Sequence, residues 1–258
     1  MIAVIDGDSL LYLSLPKKNG EHYTYEYCLD ELNNRIKNIM LATEADEYVI
    51  CLTVGRCFRY KDWIYSNDYK YKRKNSKRPP IFYALNEHLK QNYNVYYKEG
   101  LEADDLVCCL QNYLKKEKKE CIVCSMDKDV LYQIEGLHFN YGRNEFVKVT
   151  KNEAVHFLYK QLVTGDPTDN ITGIRGVGEK TVERIFKNKK MSLLPEIVLS
   201  QYLKNYVNPH EAINRFNETF KMVYILKSFH EAELELKEEI TLPKFERFER
   251  NEREGSEW

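Results

Sequence analysis

Hydrophobic and polar positions follow two regimes along the chain. In the first, short apolar runs alternate with helical spacing. Ile2–Ile5 is an apolar run closed by Asp6-Gly7-Asp8, which predicts a buried strand and a turn. Leu29, Leu32, Ile36, Ile39 and Met40 recur at helical spacing over 26–42. Tyr48–Val54 reads as a strand, Ile81–Tyr93 as a helix with Leu85 and Leu89 on one face, and Val95–Tyr97 as a short strand. Leu106, Val107 and Leu110 mark a helix running to the Lys/Glu cluster at 115–119. Cys121–Ser125 predicts a further strand, and Leu137–Val149 a hairpin around Gly142-Arg143-Asn144. In the second regime only helical patterns remain, at 151–163, 178–187, 194–206 and 210–229. This order predicts an α/β core over 1–150, with a mainly parallel sheet flanked by helices, and a helical region over 151–258.

Composition adds bounds. The 258 residues, 43% hydrophobic and 31% charged, fit a globular chain of one large or two small domains. No apolar stretch is long enough for a membrane helix, and the apolar N-terminus carries Asp6 and Asp8 with no basic leader. No membrane association and a cytoplasmic setting are expected. Seven cysteines, none after Cys124, read as reduced thiols. Cys121-Ile-Val-Cys124 has metal-knuckle spacing, but no second pair completes it, so a buried strand is the better reading.

Charge changes the picture more. The net charge of −1 argues at first against a strongly basic nucleic-acid binder. Yet residues 231–258 carry −5, which leaves +4 on the rest. Nine bases crowd into 56–78 against Asp62 and Asp68, interleaved with Tyr60, Tyr65, Tyr69 and Tyr71. Bases mixed with aromatics suit a nucleic-acid strand, because phosphates pair and bases stack.

Acidic residues cluster where strands end. Asp6 follows the first strand, and Asp127 and Asp129 follow the strand at 121–125. Glu102, Asp104 and Asp105 open a helix, and Asp166 and Asp169 end one. Loops at the carboxyl ends of parallel strands converge on one crevice. Each cluster alone could be helix capping or turn chemistry. Converging carboxylates instead repel unless cations neutralise them, and oxygen donors suit Mg²⁺ or Mn²⁺ over zinc. Two such ions can activate water and stabilise a leaving oxygen in phosphodiester cleavage. Directly after Asp169, Gly173, Gly176 and Gly178 lie in Gly-Ile-Arg-Gly-Val-Gly-Glu-Lys-Thr, which opens a helix. That pattern predicts a hairpin that offers backbone N–H groups and Lys180 to a phosphate.

Taken in order, Asp6, Tyr69-Lys70-Tyr-Lys-Arg73, Gly100-Leu-Glu-Ala-Asp-Asp105, Ser125-Met-Asp-Lys-Asp129 and the segment from Gly165 to Thr181 resemble the flap endonuclease/5′→3′ exonuclease family. That family includes the 5′ nuclease domain of bacterial DNA polymerase I and bacteriophage exonucleases. The resemblance spans about residues 1–190, and the compact chain looks most like the phage members. It implies a resolvase/PIN-like nuclease core with a helix–three-turn–helix element. It also implies a structure-dependent two-metal nuclease acting in replication or recombination, as a monomer, on 5′ ends, flaps or nicks of DNA or on RNA/DNA hybrids. The implied metal ligands, direct or through water, are Asp6, Glu102, Asp104, Asp105, Asp127, Asp129, Asp166 and Asp169. Lys70 and Arg73 would contact the scissile phosphate. Residues 56–80 would form the arch for the single strand, with Lys72, Lys74, Lys77 and Arg78 on DNA. Gly173, Arg175, Gly176, Gly178, Lys180 and Thr181 would hold the duplex backbone, with K⁺ bound beside them.

One departure stands out. The family usually carries another acid shortly before the arch, where this chain reads Cys51-Leu-Thr-Val-Gly-Arg-Cys57, with Thr53 near that place. Asp8 is not a position the family uses as a rule. Two alternatives follow. One is a DNA-junction binding protein on a decayed nuclease scaffold. The other is a haloacid dehalogenase-type phosphatase, with Asp6 and Asp8 as nucleophile and acid and Gly165–Asn170 as magnesium motif. That motif should follow a strand. At the far end, 244–258 reads as a solvated tail, with Phe245 and Phe248 as a docking patch for a replication partner as the alternative.

Overall fold

Ile2–Asp6 (β1) carries an unbroken apolar run because both faces of the strand are covered. It is paired in parallel with Glu47–Cys51 (β2) on one side and Cys121–Cys124 (β4) on the other. Val95–Tyr96 (β3) extends β2 in parallel, and Gly136–Asn140 (β5) extends β4. Glu145–Val149 (β6) closes the β5 hairpin antiparallel. The strand order is β3-β2-β1-β4-β5-β6. This computed structural model describes residues 1–15, 24–60, 63–65, 69–71 and 78–249.

Two apolar layers cover the sheet. On one face, Tyr25–Thr43 (α2, after α1 at Gly7–Leu13) and Pro80–Asn92 (α3) bury Leu32, Ile36, Met40, Phe82, Leu85 and Leu89. On the other, Ala103–Lys116 (α4) buries Leu106, Val107 and Leu110. Cys121 and Cys124 pack with opposite layers, as residues three apart on a strand must, and all seven cysteines are free thiols. After the short helix Lys128–Gln133 (α5) and the β5–β6 hairpin, helices form a third core. They are Lys151–Thr164 (α6), Glu179–Phe186 (α7), Leu194–Asn205 (α8) and Pro209–Val223 (α9). Packing crosses the expected boundary at 150/151 in both directions. Cys57 and Tyr69 join the helical core, while Ile225, Leu226 and Ala232 join the sheet core.

Several expectations fail locally. The turn expected after Asp6 is α1, capped by Asp6 and starting at Gly7, where a Cβ would meet the Ile50 and Leu52 side chains at 2.6 Å. The single helix expected over 210–229 stops at Val223, and Phe229–Leu236 (α10) is separate. The interruption has a cause in distant partners. Tyr224 O accepts from Arg59, Ile225 N donates to Gln133, and Leu226 N donates to Asp105. These bonds replace helical ones. Two small ladders also went unread: Gly165–Asp166 (β7) with Ile171–Thr172 (β8), and Glu246–Arg247 (β9) against β2. The second departs from the solvated tail expected over 244–258, because the chain is tied to the sheet as far as residue 249. Phe248 packs edge-on to Tyr48 at 6.2 Å and its N–H donates to Asp46 O, and Phe245 packs on the sheet core. Residues 250–258 lie outside the described residues.

Candidate active site and nucleic-acid interface

Because β1 and β4 are parallel neighbours, Asp6 and the Ser125–Asp129 segment emerge together at the carboxyl edge of the sheet. Asp6 caps α1 and accepts from Ser9 N (3.2 Å), Ser9 Oγ (2.6 Å) and Ser125 Oγ (2.7 Å). All three donors are neutral. Burial, with Asp8 and Asp127 nearby, outweighs them and pushes the Asp6 carboxyl up to about 6. Asp127 caps α5 by accepting from Asp129 N at 2.7 Å. Asp129 accepts from Gln161 Nε2 at 2.8 Å and is pushed up to about 7 by burial and by Asp127. Asp104, in the first turn of α4, is held well above the usual carboxylate range by burial, then by Asp127, Asp6 and Glu102.

Glu102 lies in the opposite situation. It accepts from Tyr69 Oη (2.8 Å), Arg59 Nη1 (3.2 Å) and the Lys70 ammonium. Burial opposes its charge, but Lys70 and Arg59 prevail and bring it down to about 2. Lys70 sits with its ammonium 3.7 Å from the Asp169 carboxylate and its N–H donating to Asp169 O at 2.8 Å. Asp166 accepts from Thr168 N (2.8 Å) and pairs with Lys128 (3.0 Å), which hold it low against its burial.

Asp105 departs from the expected ligand set. Its carboxylate takes the Arg59 fork at 2.7 Å on both oxygens, and also accepts from Leu226 N at 3.0 Å. Adjacent helix residues point about 100° apart, so Asp104 and Asp105 serve different faces. Arg59, counted among the bases of the arch, is 3% exposed and joins α4 to the 224–226 segment. Tyr69 is likewise buried rather than offered to bases. Arg73, Lys72, Lys74 and Lys77 lie outside the described residues. Arg78 stacks over Phe82 at 4.5 Å and donates to Tyr12 Oη. It rims a cleft of about 440 Å³ lined also by Asp8, Thr53, Lys70, Tyr83 and Glu102.

Sequence reasoning placed Arg59 only in the basic run and left Asp8 outside the ligand set. Arg59 lies between apolar neighbours in Cys-Phe-Arg-Tyr, the one local hint of burial. Asp8 accepts from Thr53 N at 3.0 Å, while Thr53 Oγ1 accepts from Ala103 N at 2.9 Å at the start of α4. An acid therefore stands beside Thr53 in space, though none stands there in sequence.

The glycines divide by role. At Gly173 a Cβ would meet Val163 O at 2.3 Å and Gly165 N at 2.4 Å, so this glycine lets β7 and β8 close together. Gly176 has φ +77°, and nothing lies within 4 Å of a Cβ placed on it or on Gly178. Gly178 caps α7, and Arg175 and Lys180 are exposed, with Thr181 half-buried. The same turn lines a groove of about 460 Å³.

Among the described residues no three carboxylates, histidines or cysteines already close on one point as a bound ion requires. The donor set nevertheless fits hard divalent cations. It is all oxygen, and the raised Asp6, Asp104 and Asp129 mark negative charge that nearby protein cations do not fully offset. Segment 165–170 follows helix α6 rather than a strand, which removes the magnesium motif from the phosphatase alternative.

An acidic crevice at the carboxyl edge of a parallel sheet, beside a glycine turn opening a helix, defines the class as an α/β nuclease type. No family model matches the chain. Among curated proteins, DNA polymerase I of Chloroflexus aurantiacus is 31% identical over 215 residues, which cover 72% of this chain and 22% of that one. The 5′-3′ exonuclease of Mycoplasma pneumoniae is 29% identical over 222 residues, 72% of this chain and 74% of the relative. The flap endonuclease Xni of Psychromonas ingrahamii is 25% identical, over 69% and 73% of the two chains. The chain thus spans about a fifth of the polymerase relative and about three quarters of the free-standing exonucleases. A bacteriophage T5 flap endonuclease variant, solved with DNA and metal ions, shares the fold with a TM-score of 0.63 at 16% identity over 88% of each chain. The chain belongs to the 5′ nuclease/flap endonuclease family. No helix among the described residues is long and apolar enough to cross a membrane.

Proposed function

We propose that this chain is a metal-dependent 5′ nuclease that hydrolyses phosphodiester bonds at 5′ ends or flaps of DNA. The observation that carries the reading is the set of carboxylates at Asp6, Asp104 and Asp129, which burial and their acidic neighbours hold above the ordinary range at the mouth of the crevice that Lys70 borders. Asp6, Asp104, Asp127 and Asp129 would hold Mg²⁺ or Mn²⁺, with Glu102, Asp166 and Asp169 at the margin. Bound there, the ions supply an activated water and charge stabilisation of the leaving oxygen. Lys70 meets the charge that develops on the phosphate, and the carboxylate–hydroxyl contacts at Asp6 keep that side chain aimed. The turn at Gly176–Gly178, with Arg175, Lys180 and Thr181, holds duplex backbone irrespective of sequence. K⁺ is assigned to the same element.

The test is incubation of 5′-labelled flap, blunt duplex and single strand with Mg²⁺, Mn²⁺ or EDTA. Cleavage of the flap with either metal and none in EDTA is expected. Tight binding with no cleavage in any arm assigns the chain to the junction-binding alternative. Lys180→Ala should weaken duplex binding and reduce the slope of log affinity against log salt by about 1.

A further inference from the structure

We infer that Arg215 and Glu218, on α9, are positioning residues for Lys70, because they pin the chain that leads into it. This rests on the reading of Lys70 as the residue that meets the phosphate. Neither residue lines the acidic crevice, and the proposed mechanism gives neither one work. Yet both are committed to the segment entering the arch. The two Glu218 carboxylate oxygens accept from Ile64 N (2.9 Å) and Tyr65 N (3.0 Å). A carboxylate gripping successive backbone N–H groups makes charge-assisted bonds that fix a loop's path. The Arg215 guanidinium lies over both the Tyr65 and Tyr206 rings, 5.1 and 4.8 Å from their centroids. It also donates to Tyr65 O (3.1 Å), and Glu211 orients it at 2.8 Å.

Four and five residues further on, the chain is tied again. Tyr69 Oη donates to Glu102 and Lys70 N donates to Asp169 O. Between the two ties the chain can span at most about 18 Å, so fixing Tyr65 limits where Lys70 can go. Lys70 itself has φ +53°, a left-handed conformation that a non-glycine residue keeps only when its surroundings over-determine it. The clamp at 64–65 and the ties at 69–70 together supply that constraint. Helix α9 also packs against β7 and β8, from which the glycine turn continues. One helix therefore sets the relation between the turn and the lysine.

The experiment measures kcat and KM on a 5′-flap with Mg²⁺ for Arg215→Met and Glu218→Gln, alone and combined with Lys70→Ala. Unfolding curves of each variant confirm folding, and Glu218→Gln serves if Arg215→Met fails to fold. Each single variant should lower kcat about 10- to 100-fold, as displacement of a reacting group does, with a much smaller change in KM. In the Lys70→Ala background the same substitutions should add little, since they act through a side chain already gone. A multiplicative loss in that background overturns the clamp, as does a raised KM with kcat intact. Lost stability with unchanged kcat per folded molecule also overturns it. A Lys70→Ala variant with wild-type kcat overturns the lysine's role and the clamp with it, whereas a slow Lys70→Ala with additive partners overturns the clamp alone.

Discussion

The two halves of the acidic crevice are built from the same residue types and reach opposite electrostatic states. Around Glu102 and Asp105 the protein supplies its own cations: Arg59 forks onto Asp105, and Lys70, Arg59 and Tyr69 surround Glu102. Around Asp6 and Asp129 the hydrogen-bond donors are two hydroxyls, an amide and a backbone N–H, all neutral, with Lys128 alongside Asp129. Glu102 falls to about 2 while Asp6 rises to about 6 and Asp129 to about 7. The difference teaches where outside cations belong. The neutralised half ties Arg59, Tyr69, Lys70 and the 224–226 segment to the start of α4, and the other half carries the carboxylates proposed to hold the ions.

The largest effect should come from removing the cation that defines the first half. Arg59→Met strands the buried Asp105 carboxylate and takes one of two cations from Glu102, and should cost about 3–5 kcal/mol, read from urea unfolding of the metal-free protein. A loss under about 1 kcal/mol would mean that the Arg59 fork does not hold this half together.

The mirror experiment is Asp104→Asn in the second half. Cleavage should fall about 100-fold or more, because a ligand worth several kcal/mol to the transition state is lost. The metal-free protein should nevertheless melt higher than wild type, since a neutral amide replaces a carboxyl whose ionisation burial and acidic neighbours oppose. A lower melting temperature in EDTA would show that Asp104 is neutralised from within after all.

The halves differed in how far the sequence revealed them. Asp6, Asp127 and Asp129 were legible because strand ends of a parallel sheet have fixed positions. The glycine turn was legible because its residue types serve one backbone geometry. Arg59 was not. A basic run reads as solvated, and only its partner Asp105, far along the chain, reveals the burial. The same partner explains the missed break at 224–228, where long-range bonds override helical propensity. The packing of Phe245 and Phe248 was hidden for a related reason: an edge position beside β2 cannot be read from a charged tail.

A pH series separates the halves without mutation. A carboxyl raised in the folded state favours folding fully below its ordinary pKa, and that contribution is lost as pH rises through the folded value. For Asp6 and Asp129 the loss runs from about pH 4 to about 7. Glu102 behaves oppositely: its contribution is present above its ordinary 4.5 and is lost as pH falls towards about 2. The metal-free protein should therefore be most stable near about pH 5 and weaken towards 8. Added Mg²⁺ should raise the melting temperature more at pH 8 than at pH 5. Equal shifts at both would break the assignment of charge to the second half.

The smallest effect is expected where the halves differ in exposure rather than sign. Lys128 pairs with Asp166 at 3.0 Å, but it is 56% exposed, against 3% for the Arg59 side chain. Water and salt screen an exposed pair, so Lys128→Ala should cost less than about 1 kcal/mol in unfolding. It also removes a cation close to the second half, so Mn²⁺ titrated calorimetrically should bind tighter, by a factor of about 2 to 10. A cost as large as that of Arg59→Met would mean that burial is not what separates the two pairs. Weaker Mn²⁺ binding would mean that Lys128 orients Asp166 for the ion rather than competing with it.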